Sequence, residues 1–133
     1  MEKNLIVAFG GASPEHEVSV LTAMQAISAL ENSTYDIHPL YIAKNGKWFT
    51  GDYLFDLKHY EDLDKLIQQA VPCHFTHNKL GQTVLSEVKN GFFAKTEEHV
   101  IHAVLTAFHG AAGENGSFQG VCETYNIPYT GSG

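Results

Sequence analysis

The sequence predicts an α/β protein: an open, mainly parallel sheet with helices on both faces and hairpin insertions. Three observations carry that expectation. Two apolar runs, LIVAF from Leu5 to Phe9 and HVIHAVLTAF from His99 to Phe108, each lead into a glycine-rich turn, as strands buried on both faces do. Behind each turn, apolar residues recur at helical spacing. Two Asn-Gly pairs punctuate the stretch between the runs.

Taken in order, Leu5 to Phe9 predicts a central strand that ends at Gly10-Gly11. Ser13 then stands where an N-cap belongs, with Pro14 at the first helical position. Val20, Ala23, Met24, Ile27 and Leu30 form one apolar stripe behind it, which predicts an amphipathic helix. Tyr35 to Lys44 (YDIHPLYIAK) returns as a second strand, so the first third reads as a βαβ unit. Asn45-Gly46 predicts a type I′ hairpin joining YIAK to KWFT, and Asn90-Gly91 another joining TVLSEVK to FFAK. Tyr60, Leu63, Ile67 and Ala70 predict a surface helix from Leu57 to Ala70. The whole of Asp52 to Thr96 reads as a decorated insertion without an assigned role. His99 to Phe108 is the second buried strand. Ser117 caps a short helix carrying Phe118, Val121, Cys122 and Tyr125, Asn126 ends it, and Ile127 to Thr130 begins a further strand. No internal repeat or flexible linker interrupts the chain.

Composition narrows the functional classes. The 133 residues, 44% hydrophobic and 17% charged, make one globular domain, 1–133, with enough chain for a real core. A formal charge of −7 opposes a nucleic-acid partner, since phosphate binders carry excess Lys and Arg. Cys73 and Cys122 lie far apart with no CxxC spacing, which points to a reducing compartment. No segment has the length of an export signal core or a membrane span, so the expected location is the cytoplasm, away from membranes. The chain stops at Gly131-Ser132-Gly133, directly after a strand, and reads as cut from something longer.

The two glycine-rich stretches carry the candidate chemistry. In an open α/β sheet, ligands bind beyond the carboxyl ends of the parallel strands, near helix N-termini. FGGASPEHE (Phe9 to Glu17) and HGAAGENGSFQG (His109 to Gly120) both leave such strand ends, so they are expected to share one crevice. The first stretch has a structural reading, a strand–turn–helix junction with a capping serine and two acids near the helix start. Its functional reading gives Glu15 to a ligand ammonium, with Glu17 facing solvent or supporting the turn. In the second stretch, His109 donates to an anionic substrate group and Glu114 orients the loop or a neighbouring cation. The structural reading there is a satisfied histidine beside an exposed acid. Gly10, Gly11, Ser13, Gly113 and Gly116 shape the two loops, and Gly110 lets the backbone come close to the ligand. Neither stretch is GxGxxG or GxxxxGK[ST], so no nucleotide loop is predicted. Cys73-His74 with His77, and His99 with His102, have loosely metal-like spacing but no full ligand set. No metal is expected in this chain. Trp48, Phe92 and Phe93 read as packing residues.

These residues resemble the N-terminal domain of the D-alanine–D-alanine ligase family, over essentially the whole chain and least in the middle. His109-Gly110, Gly113-Glu114-Asn115-Gly116 and Gln119-Gly120 stand in register with the family signature, and Phe118 replaces its usual aliphatic residue. FGG-x-S-x-EHEVS at Phe9 to Ser19 matches as well, with Ile127 to Gly133 at the end. The resemblance implies a Rossmann-like, pre-ATP-grasp sheet and a peptidoglycan-precursor ligase of the ATP-grasp superfamily. In that family ATP phosphorylates the carboxylate of one D-alanine and the amine of a second attacks the acyl phosphate. It implies that Glu15 anchors the ammonium of the first D-alanine, that His109 lies beside its carboxyl, and that Glu114 supports the same loop. ATP and Mg2+ (or Mn2+) are implied for the full-length enzyme, bound by domains missing from this chain, with none bound here. The fragment alone is then expected to be inactive, and the full-length enzyme to be a homodimer. Two other readings stay open: a ligase that takes D-lactate or D-serine as second substrate, and a non-catalytic module that binds a small molecule.

Overall fold

The computed structural model describes residues 3–12, 14–88, 97–108 and 112–131, with backbone alone at 112–117 and 131. Eight strands form one sheet: β1 (Lys3–Gly10), β2 (Tyr35–Ile42), β3 (Trp48–Thr50), β4 (Val71–His77), β5 (Thr83–Glu87), β6 (Glu98–Val100), β7 (Ala103–Thr106) and β8 (Tyr129–Gly131). Among the described residues three α-helices accompany them: α1 (His16–Leu30), α2 (Leu63–Gln69) and α3 (Ala112–Thr124). The spatial order is β6-β5-β4-β3-β2-β1-β7-β8.

The expectation of a mainly parallel sheet holds for one half only. β2, β1, β7 and β8 pair in parallel, whereas every pairing from β2 out to β6 is antiparallel. β1 explains why the parallel half is central. Ile6 and Ala8 face one core, Val7 and Phe9 the other, and all four are fully buried. α1 covers the second core with Val20 and Ala23, supported by Met24 and Ile27, as its apolar stripe predicts. α3 covers the first core with Phe118 and Cys122. Helices therefore lie on both faces.

His99 to Phe108 is not one strand. β6 and β7 belong to different parts of the sheet, joined by Ile101-His102 alone. Ile101 N–H donates to the Thr83 carbonyl (3.0 Å) and His102 N–H to the Asn4 carbonyl (3.1 Å). Asn4 completes the stitch: its N–H donates to His102 Nδ1 (2.9 Å) and its Nδ2 to the Val100 carbonyl (2.8 Å). A two-residue link between strands far apart in the sheet order requires the sheet to curl back on itself. β4 and β5 thereby place Phe75 and Leu85 in the same core as Ile6, Leu40 and Phe118. Trp48 seals the seam, its ring 4.9 Å from Phe75 and 5.5 Å from Phe118. The antiparallel half is a wall of the core, not a decoration upon it.

Smaller corrections have local causes. Leu57 to Ala70 is not one helix: a 3-10 turn (Leu57–Glu61) and α2 meet at Asp62, whose side chain accepts from Lys65 N–H (3.1 Å) and starts α2 afresh. The Asn45-Gly46 hairpin has positive φ at Gly46 (85°) but not at Asn45, which excludes type I′. Gly46 N–H closes onto the Ala43 carbonyl (2.9 Å) and Ala43 N–H onto Lys47 (2.8 Å), the three-residue connection with a left-handed third residue. Asn78 to Gln82 repeats that design with Gly81 (φ 79°), a hairpin the sequence reading missed because it lacks an Asn-Gly pair. The Asn90-Gly91 turn, Phe92 and Phe93 lie outside the described residues, although β5 and β6 on either side pair antiparallel. Asn126 ends α3 as expected. Its φ is 57°, and the bonds Asn126 N–H to Glu123 (3.1 Å) and Ile127 N–H to Cys122 (2.8 Å) form a Schellman cap.

Candidate functional site

The strand order contains a reversal. β1 leaves through α1 toward β2 on one side, and β7 leaves through α3 toward β8 on the other. α1 packs on one face and α3 on the opposite face, as right-handed crossovers running in opposite directions require. Between β1 and β7, at their carboxyl ends, the connections therefore diverge to opposite faces of the sheet. This is the switch point at which open α/β sheets hold ligands.

One buried serine ties the two strand ends together. Ser19, in the first turn of α1, accepts from Gly10 N–H (2.9 Å) and donates to the Ala107 carbonyl (2.6 Å). Ala107 N–H in turn donates to the Ala8 carbonyl (2.8 Å). The first glycine-rich stretch and the residues leading into the second are thus fixed to one another through α1. Residue composition alone does not flag Ser19; only its position two residues after Glu17 in the matched EHEVS string does.

Gly10 has a structural reason for being glycine. Its φ is 99°, and a Cβ there would lie 2.3 Å from the Ile42 carbonyl oxygen and 3.1 Å from the Tyr41 ring. The close approach belongs to β2's own backbone. Gly11, also at positive φ (96°), donates its N–H to the same Ile42 carbonyl (2.7 Å).

α1 starts later than the sequence predicts. Pro14 and Glu15 form a turn, Glu15 is the N-cap residue, and His16 is the first helical residue. Glu15 is exposed, and its carbonyl accepts from Ser19 N–H (2.9 Å). His16 is buried, its Nε2 hydrogen-bonded to the Tyr41 hydroxyl (2.8 Å) and its ring edge-on to that of Tyr41 (5.5 Å). Sequence reasoning passed over His16, although a histidine flanked by acids at a helix start was visible. Tyr41 and Phe9 continue the packing to Tyr60. Burial, then the Glu17 charge, pushes the Tyr41 phenol up to about 12, so it holds its proton at neutral pH. Glu17 faces solvent, as expected, 3.9 Å from the exposed Lys44 ammonium, a pairing of little energetic weight.

α3 begins at Ala112, five residues before the predicted start. Gly113, Glu114 and Gly116 therefore stand on the first turns of a helix and not in a loop, although glycine is a poor helix former. A helix N-terminus presents unpaired N–H groups and a partial positive charge. His109 and Gly110, with Ser13, lie outside the described residues. The structure accordingly brings Gly10, Gly11, Glu15 and the start of α3 to one edge. Among the described charged side chains near that edge, the exposed Glu15 and Glu17 outnumber Lys44, a balance that suits an ammonium.

A sequence model described as "D-ala D-ala ligase N-terminus" matches residues 4–132. A D-alanine--D-alanine ligase from Thermosipho melanesiensis is 40% identical over 128 residues, covering 96% of this chain and 34% of that protein. Another from Bacillus cytotoxicus is 34% identical over 125 residues, 94% of this chain and 33% of that protein. Among solved structures, the D-alanine-D-alanine ligase from Coxiella burnetii superposes with a TM-score of 0.74 at 25% identity, over 96% of this chain and 34% of that one. A D-Ala:D-Ser ligase from Enterococcus faecalis gives 0.71 at 25% identity, over 97% and 35%. The chain thus spans about a third of the length of the proteins it matches.

Proposed function

Because the chain belongs to the family of D-alanine–D-alanine ligase N-terminal domains, we propose that it forms the first-substrate side of an ATP-dependent ligase that joins two D-alanines for peptidoglycan-precursor synthesis. The observation that supports this most is the Ser19 bridge at the sheet's reversal point, which couples the Glu15 turn to the residues entering the His109 motif. In this reading the Glu15 carboxylate takes the ammonium of the first D-alanine, an exposed acid at a helix start whose net-negative rim favours a cation. His109 lies beside the substrate carboxyl, Gly110 gives the backbone room to approach, and Glu114 supports the helix start. ATP and its magnesium are assigned to the portion of the relatives that this chain does not span. The reading places the protein in the cytoplasm, where no membrane-spanning helix is needed; among the described residues none is long and apolar enough to be one.

The experiment is ADP release by the full-length enzyme with varied D-alanine, beside the 133-residue chain alone. Glu15→Gln removes a charge-assisted contact, so the KM for the first D-alanine rises about 10- to 100-fold, and the isolated chain shows no turnover. An unchanged KM overturns the role of Glu15; turnover by the isolated chain overturns the division of labour. The D-Ala:D-Ser neighbour supports a second reading in which D-serine is the acceptor, and product analysis with each acceptor separates the two.

A further inference from the structure

The curl of the sheet assembles a second cluster at the opposite edge from Gly10. Glu97 and Glu87 face each other across β5 and β6, where Glu87 N–H donates to the Glu97 carbonyl (2.8 Å). Two residues on, His99 projects from the same side of β6, as strand alternation requires. Its Nε2 lies 2.6 Å from a Glu87 carboxylate oxygen, and one ligand atom from each of the three residues falls within 4.8 Å of the others. The Glu87 side chain is 12% exposed and that of His99 25%, so the group is half-sheltered yet open to solvent. Behind it, the His38 ring of β2 packs against His99, centroids 4.3 Å apart and planes tilted by 33°. Nε2 of His38 is held by Asn4 Oδ1 (3.0 Å), with an Asp36 carboxylate oxygen at 3.4 Å.

From this geometry we infer that Glu87, Glu97 and His99 form a binding site for a divalent cation of the Zn2+ class. One imidazole and two carboxylates, with water in the fourth position, is a donor set that such an ion accepts. Tetrahedral ligands about 2.0–2.2 Å from zinc stand roughly 3.3–3.6 Å apart. The His99–Glu87 pair, at 2.6 Å, stands closer than that spacing and all three ligand atoms lie within 4.8 Å of one another, so side-chain rotation is enough to close the site. On binding, the direct His99 Nε2–Glu87 contact would give way to two bonds to the metal. The ion would pin the β5–β6 pair where the sheet folds back over β2. Spacing along the chain hides this set, because its members come from two strands and the spacing that looked metal-like paired His99 with His102.

The test is equilibrium dialysis of the purified protein against Zn2+, with Mg2+ as the contrast and Glu97→Gln, His99→Gln and His74→Gln as variants. Glu97 is exposed, so its substitution leaves the fold intact. The expected result is one Zn2+ per chain, weakened at least tenfold by Glu97→Gln and by His99→Gln, since even supporting partners of metal ligands are worth that much. His74→Gln, on the exposed side of β4, should leave binding unchanged, and Mg2+ should not compete at equal concentration. Absence of a saturable equivalent, wild-type affinity in either ligand variant, or equal competition by Mg2+ would each overturn the assignment.

Discussion

The parallel and antiparallel halves of the sheet solve different problems. In β1, buried on both faces, successive side chains feed two cores, and the chain continues into α1. The parallel half therefore ends in diverging helix starts, where a ligand can be gripped. In β4, buried residues alternate with exposed or half-buried ones, and the hairpins return the chain at once. In that half the one described α-helix, α2, joins two antiparallel neighbours, β3 and β4, and so does not open a reversal between parallel strands; the strands close one core by curling over it. A binding edge comes from the connections between strands, and a wall comes from the strands themselves.

The sharpest way to break this comparison uses one glycine from each half. At Gly10, alanine meets the Ile42 carbonyl at 2.3 Å with φ at 99°; at Gly46, alanine meets nothing within 4 Å, with φ at 85°. Both substitutions carry the left-handed penalty of roughly 1–2 kcal/mol, and only Gly10 adds a backbone collision. Urea unfolding should show Gly10→Ala destabilised by more than about 4 kcal/mol, or unfolded outright, and Gly46→Ala by about 1 kcal/mol. Similar losses at the two positions would mean that the β1–β2 edge relaxes as freely as an exposed hairpin.

Next in size is the cost of thinning the antiparallel wall. Leu85 of β5 is fully buried in the core it shares with Ile6 and Phe118. Leu85→Ala should cost about 3 kcal/mol, within the range for buried leucine, and should leave a single unfolding transition with an unchanged m-value. A loss below about 1 kcal/mol, or a second transition, would return the antiparallel half to the status of an appendage.

How far each half was legible in the sequence follows from the same contrast. Leu5 to Phe9, the α1 stripe and the Asn126 stop were readable because continuous burial, helical period and a left-handed cap each leave a local mark. The reversal between β1 and β7 was anticipated only as two glycine-rich ends on one edge; the backbone places those ends together, while the chemistry of His109 lies outside the described residues. His99 to Phe108 looked like one strand because apolarity does not record where hydrogen-bond partners change. The partners, Thr83 and Asn4, are distant in sequence. Glu15 was placed two positions too far into the helix because Ser13-Pro14 imitates a cap, and the start of α3 was missed because Gly113 and Gly116 argue locally against helix. Ser19 and His16 stand in the EHEVS string, but nothing local to it states what they do. Their roles exist only once Gly10, Ala107 and Tyr41 have been brought beside them.

The finest test asks whether the two halves open together. Each contributes one cysteine to the shared core, Cys73 from β4 and Cys122 from α3, and both are buried. Burial, with a nearby carboxylate adding to it, pushes the Cys73 thiol up to about 12 and the Cys122 thiol up to about 11. At pH 8 both are protonated and inert in the folded chain, and the thiolate that reacts with a disulfide reagent forms only after opening. If the curled sheet and α3 make one cooperative unit, labelling followed by peptide mapping should give rates for the two within about twofold of each other. Both rates should then rise with urea along the slope of global unfolding. Cys73 labelling about tenfold faster, with a shallower urea dependence, would mean that the wall swings open while the parallel half stays closed. Binding at the β1–β7 edge would then be independent of the fold-over, a separation that the Phe75–Phe118 and Thr83–Tyr125 contacts across the seam argue against.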